Sequence, residues 1–156
     1  SHHLYGVKGA VPEGDYTVPI GVAAIRRAGK DLTIITCGGM VLKVDQAAAR
    51  LKERGIESEI VDLRSLAPLD KETILKSVAK TRRAMVVDEG PMVGGVTSEI
   101  AALIQENLFS VLKGPVIRIG AYPLPPPHSP PLVEAISPGI DRIVSAGLRL
   151  VEGKRP

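Results

Sequence analysis

The segment DLTIITCGGMVLKVDQAAARL, residues 31–51, decides the fold class of this chain. Its first six residues form a β-branched and apolar run on both faces, which is typical of a buried central strand in a parallel sheet. Gly38 and Gly39 then interrupt the strand. The apolar residues that follow have the spacing of one helical face, and they are Val41, Val44, Ala47, Ala48 and Leu51. The segment therefore predicts a central strand that leads directly into a helix.

The same alternation continues along the chain. Further strands are predicted over residues 23–27, 56–62, 84–88 and 115–119, and further helices over 71–80, 96–108 and from 138 onward. Asp70 is expected to be the N-cap of the second helix. Ser137 and Pro138 are expected to be the N-cap and the first residue of the last helix. The last helix is predicted from a stripe at helical spacing, which consists of Ile140, Ile143, Val144, Gly147, Leu148 and Val151.

Strands that alternate with helices favour a parallel sheet that is covered on both faces. The turn at residues 28–30 is too short for a crossover, so the first strand is expected to pair antiparallel at an edge. The sequence thus predicts an α/β three-layer sandwich with a mostly parallel five-stranded sheet and one antiparallel edge strand.

The 156 residues fit a single domain. Residues 1–3, Ser-His-His, are interpreted as the remnant of an expression tag. Residues 4–19 are rich in Gly and Pro and predict a linker or extended arm. The domain itself is expected over residues 20–152, and residues 153–156 are expected to be a tail.

Composition argues against several classes of partner. The net charge of +3 is spread along the chain and aromatic residues make up only 3%, so no nucleic-acid partner is expected. No apolar run approaches the roughly 20 residues needed to span a bilayer, and no membrane partner is expected. The single cysteine, Cys37, excludes an internal disulfide and gives no metal-ligand pattern.

Ligands of open α/β sheets bind beyond the carboxyl ends of the strands. Gly38, Gly39, Gly94 and Gly95 fall there, and free backbone N–H groups at a helix start attract anions. Glycine is also needed wherever a strand turns tightly into a helix. Because no dinucleotide-binding or P-loop pattern occurs, the structural interpretation of these four glycines is favoured.

Three other patterns were weighed as functional sites. Asp88 and Glu89 could form an acid–base pair, but adjacent residues of an extended segment point to opposite sides. Cys37 could be a nucleophile with His128 as its base, yet a small buried side chain is the favoured interpretation. The run PLPPPHSPP, residues 123–131, has the spacing of a ligand for an aromatic groove, but an ordered crossing is favoured. No catalytic constellation is evident.

Four stretches carry a family resemblance. They are LYGVKGAVPEGDYTVPIGVAAIRRAGKDLTIITCGGMV from Leu4, VDLRSLAPLDKETILKSVAKT from Val61, VVDEGPMVGGVTSEIAALI from Val86 and PPPHSPPLVEAISPGIDRIV from Pro125. Together they resemble the C-terminal domain of the beta subunit of pyruvate and branched-chain 2-oxoacid dehydrogenases, a domain of the transketolase C-terminal type. The stretch from Val61 is the most specific, since it separates this subgroup from transketolases and deoxyxylulose-phosphate synthases.

The resemblance implies an oxidoreductase that uses thiamine diphosphate and magnesium, both bound outside this domain. It places no catalytic, cofactor-binding or metal-binding residue on this chain. The implied role is assembly with an alpha subunit and a second beta subunit, and docking of the subunit-binding domain of the lipoyl acyltransferase core. Such an enzyme is cytoplasmic, or lies in the mitochondrial matrix of a eukaryote.

Within this resemblance, Glu134 and Asp141 are the candidates for docking a basic partner. The chain departs from the family pattern at Thr97-Ser98, Ala121-Tyr122 and Val133. Two alternatives stay open, namely the C-terminal domain of another thiamine enzyme, such as a transketolase or deoxyxylulose-phosphate synthase, and a stand-alone ligand-binding module.

Overall fold

A computed structural model describes residues 4–125 and 127–153 of the protein. The expected tag, Pro126 of the proline-rich run and residues 154–156 of the expected tail lie outside the described residues. The strands are β1 (Ala24–Arg27), β2 (Leu32–Thr36), β3 (Ser58–Asp62), β4 (Ala84–Pro91) and β5 (Ile117–Ala121). The helices are α1 (Met40–Glu53), α2 (Lys71–Thr81), α3 (Val96–Leu108), α4 (Pro130–Ile136) and α5 (Ile140–Glu152), and a short 3-10 helix covers Phe109–Val111.

The five strands form one sheet in the order β1-β3-β2-β4-β5. Strand β2 pairs parallel with β3 and β4, and β5 pairs parallel with β4. Strand β1 pairs antiparallel with β3 at one edge, and its register shifts between Ile25 and Arg27. All five residues of β2 are buried, as expected for the central strand. The predicted sheet is confirmed.

Two helices cover each face of the sheet. The first core lies between the sheet and helices α1 and α5, and the second core lies between the sheet and helices α2 and α3. Side chains alternate between the two cores along β2, where Ile34 belongs to the first core and Ile35 to the second. This alternation is the period of a strand that is buried on both faces. The predicted three-layer sandwich is therefore confirmed.

Helix α2 begins where the sequence predicts. The carboxylate of Asp70 accepts hydrogen bonds from the Thr73 backbone N–H (3.0 Å) and the Thr73 hydroxyl (2.8 Å). It also accepts one from the Ala23 N–H (2.9 Å), so the same side chain ties the start of β1 to the start of α2. The hydrogen bond from the Thr73 N–H is the main reason why the pKa of Asp70 is lowered. Asp70 is the predicted N-cap.

The last helix begins later than predicted. Ser137 and Pro138 are not its N-cap and first residue, because α5 begins at Ile140 with Gly139 as its N-cap. Ser137 instead caps the end of α4, where its hydroxyl donates to the Val133 carbonyl oxygen (2.7 Å). The sequence prediction missed α4 because its two prolines were assigned to an extended crossing. Proline is equally favoured in the first turn of a helix.

Three strands differ from their predicted ranges by two or more residues, and the first of them, β3, begins at Ser58 instead of residue 56. Strand β4 was expected to end at Asp88 but continues to Pro91, with a shift in its pairing with β5 between Val87 and Pro91. Strand β5 begins at Ile117, two residues after the predicted start. Residues 4–20 are exposed throughout, and the proposed division into arm, domain and tail stays a prediction. Within the described residues, no helix combines the length and apolar character needed to cross a membrane.

Candidate functional site

The carboxyl ends of β2, β3 and β4 bring Cys37 close to several carboxylates. The Cys37 thiol donates a hydrogen bond to Asp88 Oδ1 (3.6 Å), and Asp88 Oδ2 accepts one from the Gly90 N–H (3.0 Å). Burial raises the pKa of Cys37 to about 12, and the negative charges of Asp88, Asp62 and Glu89 add to this effect. The sulfur is therefore a protonated thiol at neutral pH, which is a weak nucleophile.

The structure does not bring Cys37 and His128 together. Its side chain packs against the second core and its hydrogen-bond partner is a carboxylate, whereas His128 is exposed in the proline-rich crossing. No contact between Cys37 and His128 exists in the part of the chain that the structure describes. Cys37 packs against the second core but is only partly buried, so the expectation of a small buried side chain is met in part, and its hydrogen bond to Asp88 was not foreseen.

Asp88 and Glu89 do not converge on one point. Asp88 bonds to Cys37 near the second core, while Glu89 lines a cavity of about 210 Å³ beside the start of α1. Met40, Lys43 and Ser137 line the same cavity. This separation agrees with the expectation that the two carboxylates diverge, so they do not form an acid–base pair.

Three of the four glycines of the two strand-to-helix turns have structural roles. Gly38 has a φ of 58° and Gly94 a φ of 68°, a backbone conformation that other residues rarely adopt. A Cβ atom at Gly95 would lie 2.1 Å from the Pro91 carbonyl oxygen. Anion binding at these turns stays a prediction, and the carboxylates around Cys37 would oppose an anion at Gly38.

Two arginines that sequence reasoning missed organise the ends of β4 and β5. Arg118 Nη1 donates to the Met92 carbonyl oxygen (2.9 Å) and to Ser98 Oγ (2.7 Å). Arg142 Nη1 donates to the Gly120 carbonyl oxygen (2.9 Å), and its guanidinium lies 4.8 Å from the centre of the Tyr122 ring.

The two arginine contacts involve Ser98 and Tyr122, which are positions where the chain departs from the family pattern. Those departures were the available signal for a special local arrangement. The contacts of Arg118 and Arg142 hold the turn after β4 and the end of β5 in place.

The docking candidates Glu134 and Asp141 lie beside α1, and each already has a cationic partner. Glu134 of α4 accepts hydrogen bonds from Lys43 Nζ at 3.2 and 3.4 Å. Asp141, in the first turn of α5, accepts one from Arg50 Nη1 at 2.6 Å. Both carboxylates remain open to solvent, with side-chain exposures of 70% and 89%. Their role in docking stays a prediction.

No metal site is evident at either location. Within residues 4–125 and 127–153, no three His, Cys, Asp or Glu side chains are grouped so that they could hold a metal ion. The residues present therefore do not by themselves fit a magnesium ion.

Comparison with known proteins gives a consistent result. The family model described as "Transketolase, C-terminal domain" matches residues 21–143. The chain is 44% identical over 147 residues to the beta subunit of acetoin:2,6-dichlorophenolindophenol oxidoreductase from Bacillus subtilis, covering 94% of this chain and 43% of that protein. It is 38% identical to the beta subunit of 2-oxoisovalerate dehydrogenase from the same organism, covering 94% and 45%.

A plant protein and a solved structure extend the comparison. The chain is 42% identical over 150 residues to the mitochondrial pyruvate dehydrogenase E1 component subunit beta-1 of Arabidopsis thaliana, covering 94% of this chain and 41% of that protein. A structure titled "Split gene transketolase, inactive beta4 tetramer" superposes with a TM-score of 0.77 at 27% identity, covering 94% of this chain and 47% of that one. The chain spans less than half the length of each of these relatives.

Proposed function

Because the chain belongs to the transketolase C-terminal domain family, we propose that it works as the C-terminal domain of a beta subunit in a thiamine-diphosphate-dependent 2-oxoacid dehydrogenase. The resemblance inferred from the sequence is confirmed by relatives that are 38–44% identical over nearly the whole chain. The sequence identity to the solved transketolase structure is lower, at 27%. This difference in identity favours the dehydrogenase over the transketolase.

One observation supports a role in assembly rather than in substrate choice. The relatives are named as acetoin, 2-oxoisovalerate and pyruvate enzymes, yet this chain is about equally similar to the beta subunit of each. A domain shared at that level by enzymes with different substrates supplies something common to all of them. We assign it the assembly of the subunits and the docking of the acyltransferase, which support oxidative decarboxylation and acyl transfer elsewhere in the enzyme.

Thiamine diphosphate and magnesium belong, in this proposal, to the complete enzyme. They supply the carbanion chemistry that cleaves the 2-oxoacid. The described residues contain no group of side chains suited to magnesium, so no step of the reaction is assigned to this chain. Its contribution is positional, because it would hold the subunits and bring the acyltransferase close to them.

The partners proposed are an alpha subunit, a second beta subunit and the subunit-binding domain of the acyltransferase. The solved relative is described in its title as a tetramer, which supports a domain adapted to multi-subunit assembly. The exposed carboxylates of Glu134 and Asp141 would bind cations of the acyltransferase domain. Asp141 also lies in the first turn of α5, where a carboxylate complements the helix dipole. The enzyme would be cytoplasmic, or in the mitochondrial matrix of a eukaryote.

The first prediction concerns activity. The protein is purified with the subunits that accompany it and assayed with pyruvate, 2-oxoisovalerate and acetoin, using 2,6-dichlorophenolindophenol as electron acceptor. We expect dye reduction with a 2-oxoacid by the assembled enzyme, because the domain is proposed to support that reaction. The chain alone is expected to show none.

Three results would contradict the proposal. Dye reduction by the chain alone would place chemistry in this domain. Transfer of two-carbon units between sugar phosphates would favour the transketolase alternative. Purification without any thiamine-enzyme subunit would favour the stand-alone module.

A further inference from the structure

The geometry points to Lys43 and Arg50 as residues that regulate docking of a basic partner, because they already occupy the carboxylates that such a partner would bind. This inference rests on the proposed function, in which Glu134 and Asp141 receive the cations of another protein. The new element is that cations of this chain compete with the cations of the partner for the two carboxylates. A partner would bind only by exchanging its own cations for those of α1.

The two internal ion pairs are close and well defined. Lys43 Nζ lies 3.2 Å from Glu134 Oε1 and also donates to the Pro138 carbonyl oxygen at 3.4 Å. Arg50 Nη1 lies 2.6 Å from Asp141 Oδ1. In each pair, the cation neutralises the charge of the carboxylate. A basic partner would therefore find both carboxylates already paired unless the ion pairs opened.

Opening these pairs requires little work. The side chains of Glu134 and Asp141 are mostly exposed and Arg50 is about half exposed at 49%, whereas Lys43, at 28%, is the least exposed of the four and is held more firmly. Ion pairs in such contact with water contribute little to folding stability and are screened by salt. A cation from a partner can therefore replace Lys43 or Arg50 without unfolding any element. The internal ion pairs still lower the affinity for the partner, because the partner must displace Lys43 or Arg50 each time it binds.

The two carboxylates differ in how firmly they are held. Asp141 belongs to α5, whose Ile143 and Val144 are buried in the first core. Glu134 belongs to α4, in which no residue is buried. Asp141 therefore has a fixed position, while Glu134 can move with α4 to follow a partner. We expect Asp141 to fix the position of the bound partner and Glu134 to move until it contacts that partner.

The spacing of the cations on α1 describes the partner. Lys43 and Arg50 are seven residues apart, which is nearly two full turns, so they lie on one face of α1 about 10 Å apart. A partner that replaces both must present two cations at that separation. A basic helix with Lys or Arg seven residues apart has this geometry, as does any rigid surface with two cations so placed.

The test is a binding experiment with charge-removing variants. The probe is the subunit-binding domain of a lipoyl acyltransferase, and it is titrated calorimetrically into the protein with its accompanying subunits, at low and at high salt. Lys43→Met and Arg50→Met are each expected to bind about two- to fivefold more tightly at low salt, because one internal competitor is gone. The gain should disappear at high salt.

A matched control separates local exchange from net charge. Arg26 of β1 pairs with Asp45 of α1 at 3.6 Å and takes no part in the Lys43–Glu134 and Arg50–Asp141 pairs. Arg26→Met changes the net charge by the same amount and should leave the affinity unchanged. An equal gain in this variant would overturn the inference, since net charge alone would then explain the effect. Unchanged or weaker binding by both Lys43→Met and Arg50→Met would also overturn it.

Two further variants distinguish this inference from the proposed function. Glu134→Gln and Asp141→Asn should each weaken binding and flatten its salt dependence. If they do so while Lys43→Met and Arg50→Met have no effect, docking stands and the competition fails. If no variant changes binding, or the probe does not bind at all, docking at these carboxylates fails and the competition fails with it.

Discussion

Glu59 shows how a single buried carboxylate is accommodated in this protein. It lies on β3 with only 4% of its side chain exposed, and it accepts hydrogen bonds from Ser77 Oγ (2.6 Å), the Gly29 N–H (3.3 Å) and the ammonium of Lys80. Burial raises the pKa of Glu59, but the hydrogen bonds from Lys80, Ser77 and Gly29 outweigh it and leave the pKa lowered. Ser77 in turn bonds to Thr33 of the central strand (2.9 Å).

The substitution Glu59→Gln should therefore destabilise the fold. It keeps the shape of the side chain but removes the charge that these donors stabilise, and we expect a loss of about 1–3 kcal/mol in the free energy of unfolding. Urea denaturation measures this loss. The control is Glu57→Gln, which removes the same charge from an exposed pair with Lys30 and should have little effect.

The loss should also depend on pH. Because the pKa of Glu59 is lowered on folding, its contribution is present above the unfolded pKa of about 4.3 and disappears as the pH falls through the lower folded value. The difference in stability between the unchanged protein and Glu59→Gln should shrink over that acidic range. A difference in stability that stays constant as the pH falls through that range would show that the charge of Glu59 contributes nothing.

At the scale of elements, α5 is the helix whose packing can be tested most directly. The predicted apolar stripe of α5 is confirmed, since Ile143 is fully buried in the first core and Leu148 and Val151 pack against it. Ile143→Ala removes buried methyl groups between α5 and the sheet and should cost about 2–5 kcal/mol. Thermal or urea denaturation measures the change.

Ser145→Ala is the matched control on the exposed face of α5, and its effect should stay within about 0.5 kcal/mol. Equal midpoints for Ile143→Ala and the unchanged protein would mean that this stripe does not support the fold.

The helices and strands were predictable to different degrees. Burial of one face imposes a period of 3.6 residues, and this period revealed α1 and α5 without any tertiary information. The boundary at Ser137-Pro138 was wrong because a serine before a proline suits both the end of α4 and the start of the next helix. Local patterns do not decide between these two environments.

The site contacts were not predictable from local patterns. Lys43 and Glu134 are 91 residues apart, and Cys37 and Asp88 are 51 residues apart. Sequence periodicity places such residues on elements but does not say which side chains meet across the fold. The resemblance to a family supplied the docking candidates, and only the structure supplied their cationic partners.

At the scale of the whole molecule, the chain should fold alone without binding the cofactor. Its two cores bury both faces of the sheet, so the fold does not need another domain for its interior. The carboxylates near Cys37 would repel a diphosphate at the neighbouring glycine turn. Calorimetry with thiamine diphosphate and magnesium should show no binding to the isolated chain and clear binding to the assembled enzyme. Micromolar binding by the chain alone would contradict the proposed division of labour.

The edge strand β1 has a consequence for how molecules meet in solution. A strand at the border of a sheet offers unpaired N–H and C=O groups to any other chain, which is a common route to aggregation. Strand β1 has only four residues, its register is irregular between Ile25 and Arg27, and it carries the charged side chains of Arg26 and Arg27. A short, irregular and charged border accepts a sixth strand poorly. The protein should therefore not polymerise through this edge of its sheet.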